Sequence, residues 1–269
     1  MPVNTVQVKS ILQKSNLPEA DYVINPYTGC IHGCVYCYAR FMKRFTNHPE
    51  PWGTFLDAKV NAAQALRRQL AHRREPFEKP VFLSSVTDPY QPPEKRWQIT
   101  RQLLEVLLEY QAPLSILTKS DLVLRDIDLL KQFDRCEIGL SMMTLDDELA
   151  RRLEPGASPP TRRLKALQTL HAEGVYTYAF VSPYLPVFSD IEQLAGALEG
   201  AIDEIGVEAI NTRGGNWQGV EATLAKYYPD TLTDCKRLAK DETCWLALEG
   251  RVKQLPEQYP FKLMGFYRH

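Results

Sequence analysis

The stretch YTGCIHGCVYCYAR, residues 27 to 40, places three cysteines, Cys30, Cys34 and Cys37, within eight residues. Thiolates are soft ligands, so three in one loop suit a soft metal centre. A structural zinc site closes with four protein ligands, often as two close cysteine pairs. The second pair is missing. Cys136 opens an expected strand, and Cys235 and Cys244 lie far downstream without pair spacing or an adjacent histidine. His32 lies inside the loop and would compete with the cysteines for geometry. Zinc and buried structural thiols therefore stand beside a third reading. An iron–sulfur cubane held by three cysteines keeps one iron open for a substrate or cofactor.

These residues need elements to hold them. Apolar β-rich runs alternate with helical patterns along the chain. DYVINP runs into the cysteine loop. KVNAAQALRRQLAHRR reads as a helix with Val60, Ala63, Leu66 and Leu70 on one stripe. PVFLSS, APLSILTKS, CEIGLSM, VYTYAFVSP and VEAINTR read as strands. WQITRQLLEVLLEY, DLVLRDIDLLKQF (capped by Asp121), TRRLKALQTLHAEG (stopped at Gly174) and IEQLAGALEGAIDEIG read as helices between them. Short apolar strands separated by helices imply a parallel sheet covered by helices. Six units are fewer than the eight of a closed barrel. The expected fold is α/β, a partial, TIM-like (β/α)6 barrel over residues 1–215. A helical C-terminal extension, 216–269, packs on that core.

In parallel α/β sheets, ligands bind beyond the carboxyl ends of the strands. Those ends read SSVTDPYQPPE, TKS, SMMT, SPYLP and NTRGGN, and with the cysteine loop they converge on one face. That convergence marks the chain as an enzyme or a small-molecule binder. A length of 269 residues suits one large domain or two small ones, and a formal net charge of −1 excludes an overall nucleic-acid footprint. A local patch, Arg67, Arg68, Arg73 and Arg74, could serve a nucleic acid, although such clusters are usually solvated helix faces. Six cysteines in a chain this long form no disulfide framework. The first residues have no apolar core of signal-peptide length, and no window approaches a membrane span. A cytoplasmic protein with no membrane partner is expected.

With an aromatic before its last cysteine, Cys30-Ile-His-Gly-Cys34-Val-Tyr36-Cys37 resembles the signature of the radical S-adenosylmethionine (radical SAM) enzymes. It follows the first strand of a βα series, where that family carries it. The resemblance covers roughly residues 20 to 215. It implies a [4Fe–4S] cluster on the three cysteines and S-adenosylmethionine on the open iron. It also implies reductive cleavage to a 5′-deoxyadenosyl radical that abstracts hydrogen from a substrate, either a small molecule or a nucleic acid. An electron donor such as flavodoxin or ferredoxin is then needed. By the same resemblance, Tyr36 lies against the adenine, and Ser84, Ser85, Thr87 and Asp88 lie where family members contact the cofactor's amino group. Lys119 and Ser141 contact its carboxylate and ribose. Arg162 forks onto the carboxylate, or instead pairs with Glu154 in its own loop. A non-catalytic iron–sulfur protein, transferring electrons or sensing redox state, would need the cluster but not these strand ends.

SSVTDPYQPPE, RRLEPGASPPTRRLKALQTLHAEG and VSPYLPVFSD further resemble the branch containing spore photoproduct lyase. There a cysteine in the loop after the second strand returns a hydrogen atom to the product radical. The matching position here is Ser85. A hydroxyl bond is far stronger than a thiol bond, so this departure argues against lesion repair but not against radical chemistry.

Overall fold

The computed structural model describes residues 3–213 and 215–268. Among the described residues, eleven strands run β1 Val3–Val6, β2 Leu12–Lys14, β3 Tyr22–Ile24, β4 Tyr27–Thr28, β5 Leu56–Lys59, β6 Val81–Leu83, β7 Leu114–Thr118, β8 Cys136–Ser141, β9 Tyr176–Tyr184, β10 Glu204–Ala209 and β11 Lys262–Tyr267. The α-helices are α1 Ala62–Ala71, α2 Glu94–Trp97, α3 Ile99–Glu109, α4 Ile127–Leu130, α5 Asp147–Leu153, α6 Pro160–Ala172, α7 Ile191–Leu198, α8 Asn216–Tyr227, α9 Pro229–Leu238 and α10 Glu242–Gln258.

The main sheet has the order β11-β10-β9-β8-β7-β6-β3-β2, parallel throughout except where β2 pairs antiparallel with β3. Its edges, β2 and β11, do not pair with each other among the described residues, so the sheet curls without closing. The six expected strands are β3 and β6 to β10. Side-chain alternation explains their placement. Along β7, Leu114, Ile116 and Thr118 are buried while Ser115 and Leu117 are half-buried. One face therefore packs under helices and the other lines a concavity. A small second sheet, β1-β5-β4, flanks the cysteine loop.

Several expectations shift. The segment after residue 215 contains three helices but also β11, which pairs parallel with β10 and extends the sheet. The reading of α1 began too early: Val60 is exposed, β5 occupies the residues before it, and the buried stripe is Ala62, Ala65, Leu66 and Leu70. Ser120, not Asp121, caps the turn after β7, accepting from the Leu122 amide. The last core strand starts at Glu204, earlier than VEAINTR suggested, because α7 already ends at Leu198. Within the NTRGGN loop, Gly214 lies outside the described residues. Among the described residues, no helix is long and apolar enough to cross a membrane.

Candidate active site

The cysteine loop leaves β4 and makes two tight turns. The Gly33 amide donates to the Cys30 carbonyl at 3.4 Å, and the Cys37 amide to the Cys34 carbonyl at 3.2 Å. Arg40 then clamps the end of the loop, donating to the Val35 carbonyl at 2.8 Å and the Cys37 carbonyl at 3.2 Å. All three thiols are free; Cys34 is buried, Cys30 and Cys37 half-buried. Among the described residues, no three His, Cys, Asp or Glu side chains are arranged to hold one metal ion. A cubane makes a different demand, because each thiolate binds a separate iron. Burial pushes the Cys30 and Cys34 thiols up, and the nearby carboxylates of Asp88 and Glu154 respectively push them further. Thiolates in that setting require strong positive charge beside them, which iron supplies.

The walls of the loop are unusually close. The Val35 amide donates to the Leu153 carbonyl and the Gly156 amide to the His32 carbonyl, both at 2.9 Å. A Cβ on Gly156 would stand 2.2 Å from the Ile31 carbonyl oxygen and 2.9 Å from the His32 Cα. A Cβ on Gly219, in α8, would stand 2.2 Å from the Val35 carbonyl oxygen. Only glycine permits these approaches of backbone to backbone. On the other side, Gln91 accepts from the Ile31 amide at 2.9 Å and donates to Thr87 at 3.0 Å. Thr87 in turn donates to the Gly29 carbonyl at 2.5 Å.

The strand ends complete the site. Asp88 is buried after β6, and its carboxylate accepts from the Tyr90 amide (2.8 Å), Thr118 hydroxyl (2.7 Å) and Lys119 amide (2.9 Å). His32 Nδ1 stands 3.4 Å away. Burial alone would raise the Asp88 pKa, but His32, the Lys119 amide and the Thr118 hydroxyl hold it down to about 2. With four partners the carboxylate is saturated, so Asp88 ties the cysteine loop to β7 rather than presenting a free acceptor. The Ser85 amide and hydroxyl both engage Asn25, at 3.1 and 3.4 Å, and its carbonyl accepts from Tyr38. Ser84 is different: among the described residues its buried hydroxyl has no partner, and neither has His32 Nε2.

Across the site, Lys119 Nζ donates to the Ser141 hydroxyl at 2.8 Å and lies 5.7 Å from the Tyr36 ring centre. The Tyr36 hydroxyl donates to Glu154, which also pairs with Arg163. Arg163 is about 1% exposed and donates to the Ser158 carbonyl at 2.6 Å and the Ser141 carbonyl at 2.7 Å. Burial opposes the charge of Glu154, but Arg163 and then Lys119 hold its pKa below the ordinary carboxylate value. Arg162 does not join this group. It points outward, exposed, with Nε 2.7 Å from Asp121. In α6 consecutive residues point about 100° apart, and the inward position belongs to Arg163. The pairing with Glu154 expected for Arg162 is made by its neighbour.

Residues 24–199 match the family model described as the Radical SAM superfamily. The chain belongs to the radical SAM superfamily. It is 38% identical over 191 residues to an uncharacterized protein of Methanocaldococcus jannaschii, covering 71% of each chain. It is 29% identical over 163 residues to the radical SAM Nalpha-GlyT isomerase of Pseudomonas phage M6, covering 60% of this chain and 32% of that protein. Among solved structures, spore photoproduct lyase complexed with dinucleoside spore photoproduct superposes with a TM-score of 0.68 at 17% identity, over 98% of this chain and 82% of that one. Streptococcus suis SuiB bound to S-adenosylmethionine gives 0.60 at 18%, over 92% and 49%. These two likenesses are of fold.

Radical SAM proteins use a [4Fe–4S] cluster and S-adenosylmethionine, and the residues present fit both groups. Three thiols share one loop, and among the described residues the buried Ser84 hydroxyl, just after β6, and the buried His32 Nε2, inside the loop, lack partners. Such orphans are costly unless something binds them. Sequence reasoning missed Arg163, Gln91, Asn25, Gly156 and Gly219. The glycines carried no signal, since only the folded contact shows why a side chain is forbidden.

Proposed function

We propose that this protein is an enzyme that holds a [4Fe–4S] cluster on Cys30, Cys34 and Cys37 and binds S-adenosylmethionine at the open iron. When bound, the reduced cluster supplies the electron that splits the sulfonium bond, giving methionine and a 5′-deoxyadenosyl radical that takes hydrogen from an organic substrate. The observation that carries this reading is the placement of three free thiols in one loop at the carboxyl edge of a parallel sheet, the edge at which Ser84 follows β6.

The chain's own residues divide the work. Asp88, Thr87 and Gln91 fix one flank of the loop, and Glu154 with Arg163 fixes the other. Lys119 and Ser141 offer a cation and a hydroxyl for the cofactor's carboxylate and ribose, with the Tyr36 ring beside them. Ser84 offers a free hydroxyl to the amino group. Ser182 and Glu208, half-buried toward the carboxyl ends of β9 and β10 and hydrogen-bonded to each other, would line the substrate space.

Ser85 does not act as a hydrogen donor, because its O–H bond is too strong to yield an atom to a carbon radical. The remaining thiols are placed elsewhere: Cys136 opens β8 at the far end of the strand, Cys235 is buried in α9, and Cys244 lies on α10. Efficient repair of spore photoproduct is therefore not expected. Alanine at each cysteine in turn, followed by anaerobic reconstitution and iron analysis, tests the reading. Loss of iron with Cys30→Ala, Cys34→Ala and Cys37→Ala alone supports it. Equal loss with Cys235→Ala or Cys244→Ala contradicts the ligand set.

A further inference from the structure

Beyond Ser141 the sheet continues for three more strands. In its parallel register Ser141 pairs with Phe180, and Phe180 with Gly206. Paired residues of neighbouring strands point to the same face, so Phe180 shares the face on which Ser141 meets Lys119. One side-chain step nearer the carboxyl ends, that face carries Ser182 on β9 and Glu208 on β10, and Glu208 pairs with Tyr267 on β11. The Ser182 hydroxyl donates to the Glu208 carboxylate. Val181 and Val207, which alternate with these residues, are fully buried on the opposite face. Glu208 also reaches the cysteine loop. The Tyr38 hydroxyl donates to the Ser85 carbonyl, and the ionisable groups acting on its phenol are Cys37, Glu208 and Cys30. Phe180 and Tyr267, both half-buried, lie against each other with ring centres 5.9 Å apart and planes tilted by 57°. The Phe180 ring takes the space that a side chain at 206 would need, since a Cβ on Gly206 would stand 2.7 Å from it.

We propose that Glu208, with Ser182 and the Phe180–Tyr267 pair, recognises an ammonium group, so that the substrate is a small organic amine in its protonated form. The proposal rests on the proposed function and deepens it by naming the substrate class. A hydrogen bond from an ammonium to a carboxylate is charge-assisted on both sides. Aromatic rings attract the same cation and cover the carbon chain that bears it. A carboxylate accepts about four hydrogen bonds, so the bond from Ser182 does not exclude a further donor. An anionic substrate would be repelled by Glu208, and a neutral one would gain only the ring contacts and a weaker hydrogen bond. From β10 to β8 is two strand spacings, about 10 Å. An amine held at Glu208 has that span in which to bring a C–H bond to the cofactor, and anchoring one end fixes which bond is presented.

The test uses the reconstituted protein saturated with S-adenosylmethionine and left unreduced. The probes are 2-phenylethylammonium, 2-phenylethanol and 3-phenylpropionate, which share a ring and differ in charge. Ligand-observed NMR titration at pH 7 gives each affinity. The parent should bind the ammonium on the order of tenfold more tightly than the alcohol, and the carboxylate least. Glu208→Gln keeps the shape and loses the charge; it should abolish that preference and leave alcohol binding unchanged. Phe180→Ala should weaken both the ammonium and the alcohol. Glu204→Gln, at the amino end of the same strand, should bind like the parent. Failure of the ammonium to bind, preference for the alcohol or the carboxylate, or a preference that survives Glu208→Gln overturns the proposal. Dithionite-driven 5′-deoxyadenosine formation separates it from the functional reading. A parent that cleaves the cofactor without any ammonium preference sinks only the amine. A parent with the Glu208-dependent preference that never cleaves the cofactor sinks the functional reading and leaves an amine site without radical chemistry.

Discussion

Adjacent arginines in α6 should differ sharply when removed. Arg163 is about 1% exposed, and its three nitrogens serve Ser158, Ser141 and Glu154. Arg163→Ala leaves the buried Glu154 carboxylate without its main counter-charge, Lys119 being 4.0 Å away. It also leaves two carbonyls short of a donor. Breaking a buried pair from one side costs about 3–5 kcal/mol. In a protein of this size each kcal/mol moves Tm by roughly 2–4 °C, so a fall of about 6–20 °C is expected. Arg162 is 63% exposed at its side chain and pairs with Asp121 on the surface. Arg162→Ala should cost about 0–1 kcal/mol. Thermal and urea denaturation of anaerobically purified protein provide the comparison. Arg163→Lys, which keeps the charge but loses the fork, should fall between the two. Equal losses for Arg162→Ala and Arg163→Ala would refute the assignment of the inward position.

Gly156→Ala should force the cysteine loop off the 153–158 wall, costing about 1–3 kcal/mol and lowering iron retention after reconstitution; full retention at unchanged Tm would show that the contact is not needed. Lys119→Ala and Ser141→Ala should each weaken S-adenosylmethionine binding by calorimetry, on the order of 1.5–3 kcal/mol for the charged contact and less for the hydroxyl. Arg162→Ala should leave it unchanged. Lys59 donates to the Asn25 carbonyl at 2.7 Å. Burial holds its pKa down to about 8, although Asp57 opposes the shift. Between pH 8 and its unfolded value of about 10.4, the unfolded chain binds more protons, so stability rises with pH through that window. Relative to Lys59→Met, the parent should gain up to roughly 3 kcal/mol there by urea denaturation; a flat difference would contradict the buried charge.

Much of the scaffold was legible before the structure. The strands at β6 to β9 announce themselves as short apolar runs, and Gly174, at φ +80°, ends α6 as its position suggests. The cysteine loop was legible because thiolate chemistry depends on spacing that the chain itself displays. Arg163 was not distinguishable from Arg162, since both precede the apolar stripe and only the register of a helix starting at Pro160 decides which turns inward. β11 escaped although LMGFY is an apolar run, because it is one short strand after three helices and its residues are only half-buried at a sheet edge. Asp88 was recognised as important, but its saturation by four donors is a property of three segments brought together.

The most direct test of the central claim is product analysis of the reconstituted, dithionite-reduced protein with S-adenosylmethionine under anaerobic conditions. The account predicts that 5′-deoxyadenosine and methionine form in equal amounts, slowly even without substrate, and that both disappear in Cys34→Ala. A protein that takes up its full iron and binds the cofactor, yet forms no 5′-deoxyadenosine with any reductant, would contradict the claim and leave a cluster protein without radical chemistry.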